Sequence, residues 1–416
     1  MASDMITELV CIVCGATHPP GNLQTCPRCG PEGILDVRYD YDEAGRALTA
    51  EALAGRPANH WRYRELMPIR PGDELPPVHV GWTHIHEAPR LADVVGVRRL
   101  FLKDDGRNPT ASFKDRASAV GVLKAREFGY LTIACASTGN AASSLAGLAA
   151  AVGLRATIFV PERAPEAKVA QLLVFGATVF RVRGTYEQAF ELCRGACERF
   201  TWYNRNSGTN PYLVEGKKTA GLEIAEQFAA SPWLDGALPD WVVVPVGDGC
   251  TIGGIGKGLH EMKRIGRVRE MPRLLGVQAE GASPIVTAFH EKGHVRPSSS
   301  DTIADSIAVG TPRNWRRALA WVRASRGAMI AVADDDILSA MRDTARLGGI
   351  FGEPAAVAAV AGLKRAVARG LVPADSAVVV VITGNGLKDV RSALAAAGRP
   401  HDIHPDLDEV EAIVGR

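Results

Sequence analysis

One lysine, Lys114, stands in the segment Asn108–Arg116 (NPTASFKDR), at the expected start of a helix and beside small hydroxyl residues. The positive end of a helix dipole disfavours an ammonium. That field and burial both lower an amine's pKa, which suits an amine that must be neutral to attack a carbonyl. The bland alternative is a surface lysine paired with Asp115. Three further loops fall after expected strands, where open α/β sheets bind ligands. In Ser137–Ala142 (STGNAA), Ser137 or Thr138 can cap the next helix. With Gly139 they also leave backbone N–H groups suited to a carboxylate, and Asn140 offers both a donor and an acceptor. Gly247–Gly254 (GDGCTIGG) is a glycine-lined turn before a helix, the kind of nest that holds a phosphate. It is not a P-loop, because Thr251 takes the place of the first glycine and Gly258 follows Lys257. Nor is it G-x-G-x-x-G, since Ile252 fills the last glycine's place. A loop for one small phosphate remains, with the Asp248 carboxylate turned away from it. Thr383–Asp389 (TGNGLKD) sets Thr383 where a buried hydroxyl could meet a ligand, the alternative being an ordinary βα turn.

A separate constellation lies near the start. Cys11-Ile-Val-Cys14-Gly and Cys26-Pro-Arg-Cys29-Gly each place two thiols at a turn. Two such tips complete a tetrahedral four-cysteine site, the usual structural zinc geometry. In a reducing compartment that pairing favours metal over disulfide. A former metal site kept by packing is the competing reading. Cys193 and Cys197, four apart with no matching pair, are expected to be buried packing.

The elements that must position these loops are legible from about residue 98. Short apolar runs at Arg99–Lys103, Leu131–Ala136, Ala156–Val160, Ala177–Val182, Trp241–Val246, Leu274–Ala279, Met329–Val332 and Ala377–Thr383 alternate with helical stretches. Continuous Val and Ile runs suit strands covered on both faces. Strand–helix alternation predicts an α/β fold with largely parallel sheets. Pro297–Asp301 is the best internal loop candidate.

Length and composition exclude several classes. The chain has 416 residues, 46% apolar and 23% charged, which fits about two to three globular domains. Its 48 Lys plus Arg against 46 Asp plus Glu leave +2, no strong field for nucleic acid or anionic membrane. Met1–Val10 lacks an apolar core of the secretory kind. Leu371–Ile382 is the longest membrane-span candidate, and Pro373 and Asp375 interrupt it. A cytoplasmic location is expected.

Taken in order, the loops resemble the fold-type II pyridoxal-phosphate enzymes of the tryptophan synthase beta-like family, and within them the threonine synthases. The resemblance runs from about Val78 to Asp389 and rests on NPTASFKDR, STGNAA, Asn210–Thr219 (NPYLVEGKKT) and TGNGLKD. Thr302–Gly310 (TIADSIAVG) with Trp315, Phe351–Ala355 (FGEPA) and the paired cysteine knuckles add to it. It implies pyridoxal 5'-phosphate bound covalently to Lys114, with Asn140 on the cofactor's 3' oxygen. Gly247, Asp248, Gly249, Cys250 and Thr251 would hold the cofactor phosphate, and Thr383 would face the pyridine nitrogen. Ser137 and Thr138 would bind the substrate carboxylate; Lys103, Asn206 and Asn210 are candidates for its distal phosphate. The reaction implied converts O-phospho-L-homoserine and water to L-threonine and phosphate, Lys114 moving protons at Cα and Cβ. The alternative is a related lyase or synthase, either a threonine-type dehydratase or a β-replacement enzyme such as a cysteate- or cysteine-type synthase.

The implied architecture is a two-domain α/β fold preceded by a zinc-ribbon-like segment. Residues 1–42 would form the ribbon, 43–116 with 212–395 the large cofactor-binding domain, 117–211 an embedded small domain, and 396–416 a tail. A homodimer acting on a small amino-acid phosphate, with no nucleic-acid or membrane partner, is expected. Departures bear on the reaction. The family's Gly-Gly-Thr-Pro-Leu entry is here Gly81-Trp82-Thr83-His84-Ile85, and its Lys-x-Glu-Gly is Lys103-Asp104-Asp105-Gly106 followed by Arg107. The usual Gly-Asn-rich phosphate loop is Gly-Asp-Gly-Cys. His84 and His86 are weighed as cleft proton donors against ordinary structural residues.

Overall fold

A computed structural model of the chain describes residues 5–162, 164 and 166–415. The central element is a six-stranded sheet in the order 328–332, 273–279, 241–245, 377–382, 99–104, 85–87. Its strands are parallel except the last, Ile85–Glu87, which is antiparallel to Arg99–Asp104. Strand Ala377–Ile382 (AVVVVI) is buried along its whole length. Successive side chains alternate between faces, so Val379 and Val381 join one core, while Val378, Val380 and Ile382 join the other. Helices Tyr212–Ala229 and Cys250–Arg264 cover the first face, and helix Pro354–Ala368 the second. That two-sided cover explains why these strands lack polar alternation.

A second, four-stranded parallel sheet has the order 178–182, 155–161, 132–136, 203–204. Every expected strand is present to within one or two residues. The short pairs Ile85–Glu87 and Tyr203–Asn204 were not anticipated, since two or three residues carry no periodicity. Thr178–Val182 is an edge strand with no buried residue, although its composition resembles that of the covered strands.

The first forty residues form a three-stranded antiparallel sheet, Ile6–Cys11 lying between Thr17–His18 and Leu35–Tyr39. Its last strand is tied to the body by buried ions. Lys257 Nζ reaches Asp36 Oδ1 at 3.1 Å and Glu215 Oε1 at 2.8 Å. Lys218 bridges Glu215 and Glu261 at 2.6 and 2.8 Å, and the Tyr39 hydroxyl donates to Glu215 at 2.9 Å. Beyond residue 396 the chain ends in helix Leu407–Val414, which buries no residue. No described helix is long and apolar enough to cross a membrane.

Candidate active site

Lys114 opens helix Lys114–Glu127, as the sequence predicts. The loop before it is tightly bonded. Asn108 accepts the Gly81 N–H at 2.9 Å and donates to the Asp105 carbonyl at 3.0 Å. Ala111 holds a left-handed φ of 60°, a costly conformation for a residue with a Cβ. Its carbonyl accepts the Asn385 N–H at 3.1 Å, and Phe113 N–H donates to the Thr383 carbonyl at 2.8 Å. The loop after strand Ala377–Ile382 is thereby stitched beside Lys114. Glu353 N–H donates to the Gly384 carbonyl at 3.0 Å.

Asp115 does not pair with Lys114. Its carboxylate accepts from the Thr110 backbone N–H and hydroxyl at 2.7 and 2.5 Å. Among the described residues, the half-buried Lys114 amine has no carboxylate in salt-bridge contact. Burial, then the neighbouring Lys217, brings its pKa down to about 8. Covalent loading of a carbonyl compound needs the neutral amine. The observed association rate of pyridoxal phosphate is therefore expected to rise about tenfold per pH unit below about 8 and level off above it. Stopped-flow absorbance measures this directly, and a plateau reached only near 10 would contradict the placement.

Asn140 begins helix Asn140–Ala151 and is buried. Its Nδ2 donates to Glu353 Oε1 at 2.7 Å and to Ser306 Oγ at 3.2 Å. Ser137 and Thr138 do not cap this helix. Its N-cap is Gly139, whose N–H donates to Ser137 Oγ at 3.2 Å. The first N–H groups of the helix remain open, and both hydroxyl residues are half-buried beside them.

Gly249, with φ of 92°, caps helix Cys250–Arg264. A Cβ there would also stand 2.7 Å from the Asn314 carbonyl oxygen, so glycine is required twice over. The Asp248 carboxylate accepts the Arg313 N–H at 2.5 Å and the Cys250 thiol at 3.1 Å. It is held by protein groups, as a phosphate loop requires. Thr383 is buried at the end of its strand.

Three substrate-phosphate candidates are differently employed. Lys103 is fully buried and pairs with Glu223 at 2.8 Å, while its Nζ also donates to the Thr83 carbonyl and to Gln227. Its charge is balanced inside the protein, so it is not available as a substrate cation. Asn206 accepts the Ala136 N–H at 3.2 Å, and Asn210 donates to the Asn204 carbonyl at 2.9 Å. Both amides shape the 204–210 loop. His84 and His86 lie on the edge strand and its approach, both exposed, with ring centroids 5.9 Å apart. Neither hydrogen-bonds a described residue around Lys114, and their side chains are open to solvent. Cys193 and Cys197 pack with Ala134, Phe159 and Phe190.

Other residues come to Lys114 without having been singled out. They are Lys217, Arg205 and Glu353. Lys217 and Glu353 were in noted motifs but lacked an individual signal. The Lys217-Lys218 pair holds a clue, since Glu215 lies three residues before Lys218 and takes that ammonium, together with Lys257, but not Lys217.

The sequence matches the pyridoxal-phosphate dependent enzymes over residues 77–384. The chain belongs to that family. Threonine synthase from Methanosarcina acetivorans is 39% identical over 98% of this chain and 99% of its own length. Threonine synthase from Methanocaldococcus jannaschii is 36% identical over 97% and 98%. Among solved structures, the processed threonine deaminase isoform 2 of Solanum lycopersicum superposes with a TM-score of 0.63 at 23% identity, covering 76% of this chain and 87% of that one. The latter likeness carries the fold of this pyridoxal-phosphate enzyme, and the former two its place beside the threonine synthases.

Proposed function

We propose that this enzyme converts O-phospho-L-homoserine and water to L-threonine and phosphate, with pyridoxal phosphate held at Lys114. The observation that carries the reading is a half-buried amine at a helix start, its pKa brought down to about 8 by its surroundings, in a chain that matches threonine synthases over nearly its whole length. The donor set fits the cofactor. Lys114 supplies the amine, the start of helix Cys250–Arg264 with Gly247–Thr251 the phosphate cradle, Asn140 an amide, and Thr383 a neutral hydroxyl. Thr383, in place of a carboxylate, would leave the pyridine nitrogen unprotonated. Bound there, the cofactor supplies an electron sink beside the substrate's Cα.

Ser137, Thr138 and the open N–H groups of helix Asn140–Ala151 receive the substrate carboxylate. Lys114 takes the Cα proton and later a Cβ proton, which its position near neutrality allows. Phosphate leaves from Cγ, the two protons taken are returned to Cγ and Cα, and water adds its hydroxyl at Cβ and releases its own proton. The four-stranded sheet unit, within residues 117–211, is taken as the small domain, with the six-stranded sheet in the large one. Product identification after adding O-phospho-L-homoserine to the cofactor-loaded protein tests the reaction. Absence of phosphate release, with release from O-phospho-L-serine instead, would move the assignment to a β-replacement enzyme.

The N-terminal segment is proposed to be a zinc ribbon. Cys11, Cys14, Cys26 and Cys29 bring their sulfurs within 4.8 Å of one another. Cys11 and Cys29 stand 3.9 Å apart, and Cys14 and Cys26 3.8 Å. A tetrahedral site with Zn–S near 2.3 Å has sulfur edges of about 3.8 Å. Elemental analysis is expected to find one zinc per chain. Cys26→Ser should lose it and lower the unfolding midpoint, because metal binding contributes folding free energy. Full zinc occupancy in Cys26→Ser would contradict the ligand set.

A further inference from the structure

The described buried cations fall into two groups. Lys103 and Arg116 pair with Glu223, Arg116 also with Asp105, Arg62 with Glu226, Lys124 with Glu127, Lys218 with Glu215 and Glu261, Lys257 with Asp36 and Glu215, and Arg317 with Asp36. Lys217 and Arg205, each only 2% exposed, form no salt bridge with a carboxylate. The groups that act on the buried Lys217 ammonium are the Cys250 thiol, Arg205 and the Asp248 carboxylate. Arg205 donates to Ser118 Oγ at 3.0 and 3.2 Å and to Ser207 Oγ at 3.3 Å, all neutral acceptors. A buried charge without a counter-charge is expensive, and two near one another more so.

Their placement shows what would balance them. Ser118 lies one turn beyond Lys114 on the same helix face, so Arg205 lies along the flank that carries the amine. Lys217 follows Gly216, whose missing side chain lets helix Tyr212–Ala229 rest on the Arg116 carbonyl, in the first turn of Lys114–Glu127. On its other side, a Cβ added to Gly254 would stand 2.8 Å from the Lys217 Cβ. Gly254 is one turn beyond Cys250, at the start of helix Cys250–Arg264. Lys217 thus sits between two helix N-termini, whose dipoles add positive potential. The nearby carboxylates take their hydrogen bonds from neutral groups, Asp248 from Arg313 N–H and the Cys250 thiol, Asp115 from Thr110, and Glu353 from Asn140, so that Asp248 acts on Lys217 and Asp115 on Arg205 without a salt bridge. The Cys250 sulfur joins this wall to the other, standing 3.4 Å from the Ser207 carbonyl oxygen.

We propose that Lys217 and Arg205 are the paired cations of a pocket for a phosphate monoester dianion beside Lys114. The phosphate can come from the cofactor or from the departing end of the substrate, and the second source rests on the reaction proposed above. Both are doubly charged near neutral pH, which matches two buried cations that have no salt-bridged carboxylate among the described residues.

The test uses Lys217→Gln, with Arg205→Gln as the independent second variant and Lys217→Arg as the conservative one. Affinity for inorganic phosphate is measured calorimetrically on the cofactor-loaded protein, and affinities for pyridoxal phosphate and pyridoxal by absorbance on protein stripped of cofactor. Loss of one charged hydrogen bond should weaken the phosphate-bearing ligand about 10- to 100-fold. If the cofactor is the source, pyridoxal phosphate affinity falls while pyridoxal affinity holds. If the substrate is the source, cofactor affinity holds, while the inorganic phosphate Kd and the KM for O-phospho-L-homoserine both rise. Lys217→Arg restores binding in either case. Wild-type affinity for both phosphate ligands in the two Gln variants overturns the pocket. Because phosphate binding needs no turnover, these readings stand even if O-phospho-L-homoserine proves not to be a substrate.

Discussion

Lys114→Ala is expected to lose the visible absorbance of the bound cofactor and at least about 10⁴-fold of turnover, the upper range for one positioned acid–base group. It should do so while folding normally. Lys114 has no carboxylate in salt-bridge contact among the described residues, so its removal breaks no ion pair, although the buried Glu353 loses a cation acting at longer range. Asp115 keeps its bonds to Thr110, and Glu353 keeps Asn140. Two cations, Lys217 and Arg205, lose a like-charged neighbour. The urea midpoint should therefore stay at the wild-type value or rise slightly. A variant that keeps the absorbance band would show that another amine carries the cofactor. One that loses activity only because it unfolds would show that Lys114 is a structural residue.

The largest stability effect is expected at Glu223. Its side chain is fully buried and accepts from Arg116 at 2.5 and 2.8 Å and from Lys103 at 2.8 Å. Against the upward push of burial, Arg116 and then Lys103 hold this carboxyl well below the usual carboxylate range. A depressed folded pKa contributes stability that is present above the unfolded value near 4.3. That stability is lost as pH falls through the depressed range. Glu223→Leu removes the anion and leaves two cations in a dry interior, which should cost about 3–5 kcal/mol in urea unfolding. Arg116 retains Asp105 at 2.6 and 3.0 Å. Lys103→Met combined with Glu223→Leu should therefore be less destabilised than Glu223→Leu alone, a coupling that a double-mutant cycle reads. Equal stabilities for the single and double variants would mean that Lys103 finds water or another partner.

The same network corrects an expectation from the sequence. Lys103 follows Leu100-Phe101-Leu102 on a central strand and looks like a cation aimed at the ligand end of the sheet. Strand alternation places it on a face, but nothing local says which side chain meets it there. Glu223 is 120 residues away and comes from helix Tyr212–Ala229. A lysine with a carboxylate and a lysine without one are indistinguishable until that helix is in place. Lys217 shows the converse. It stood unremarked in a motif, and only the approach of two helices at Gly216 and Gly254 reveals that it has no counter-charge.

Local signals were enough for other features. The Val and Ile runs marked the covered strands because two-sided burial removes polar alternation. Lys114 at a helix start, Gly249 at a helix cap and the four thiols in two tight turns were legible because each depends on only a few neighbouring residues. Edge strands of two or three residues were not, and neither was the exposure of Thr178–Val182, because position in a sheet is set by partners. The sequence by itself determined the elements, the lysine and the loops around it, together with the family they belong to. Tertiary structure alone decided which buried charges are balanced, since a side chain's energy in a dry interior depends on groups brought to it from distant parts of the chain.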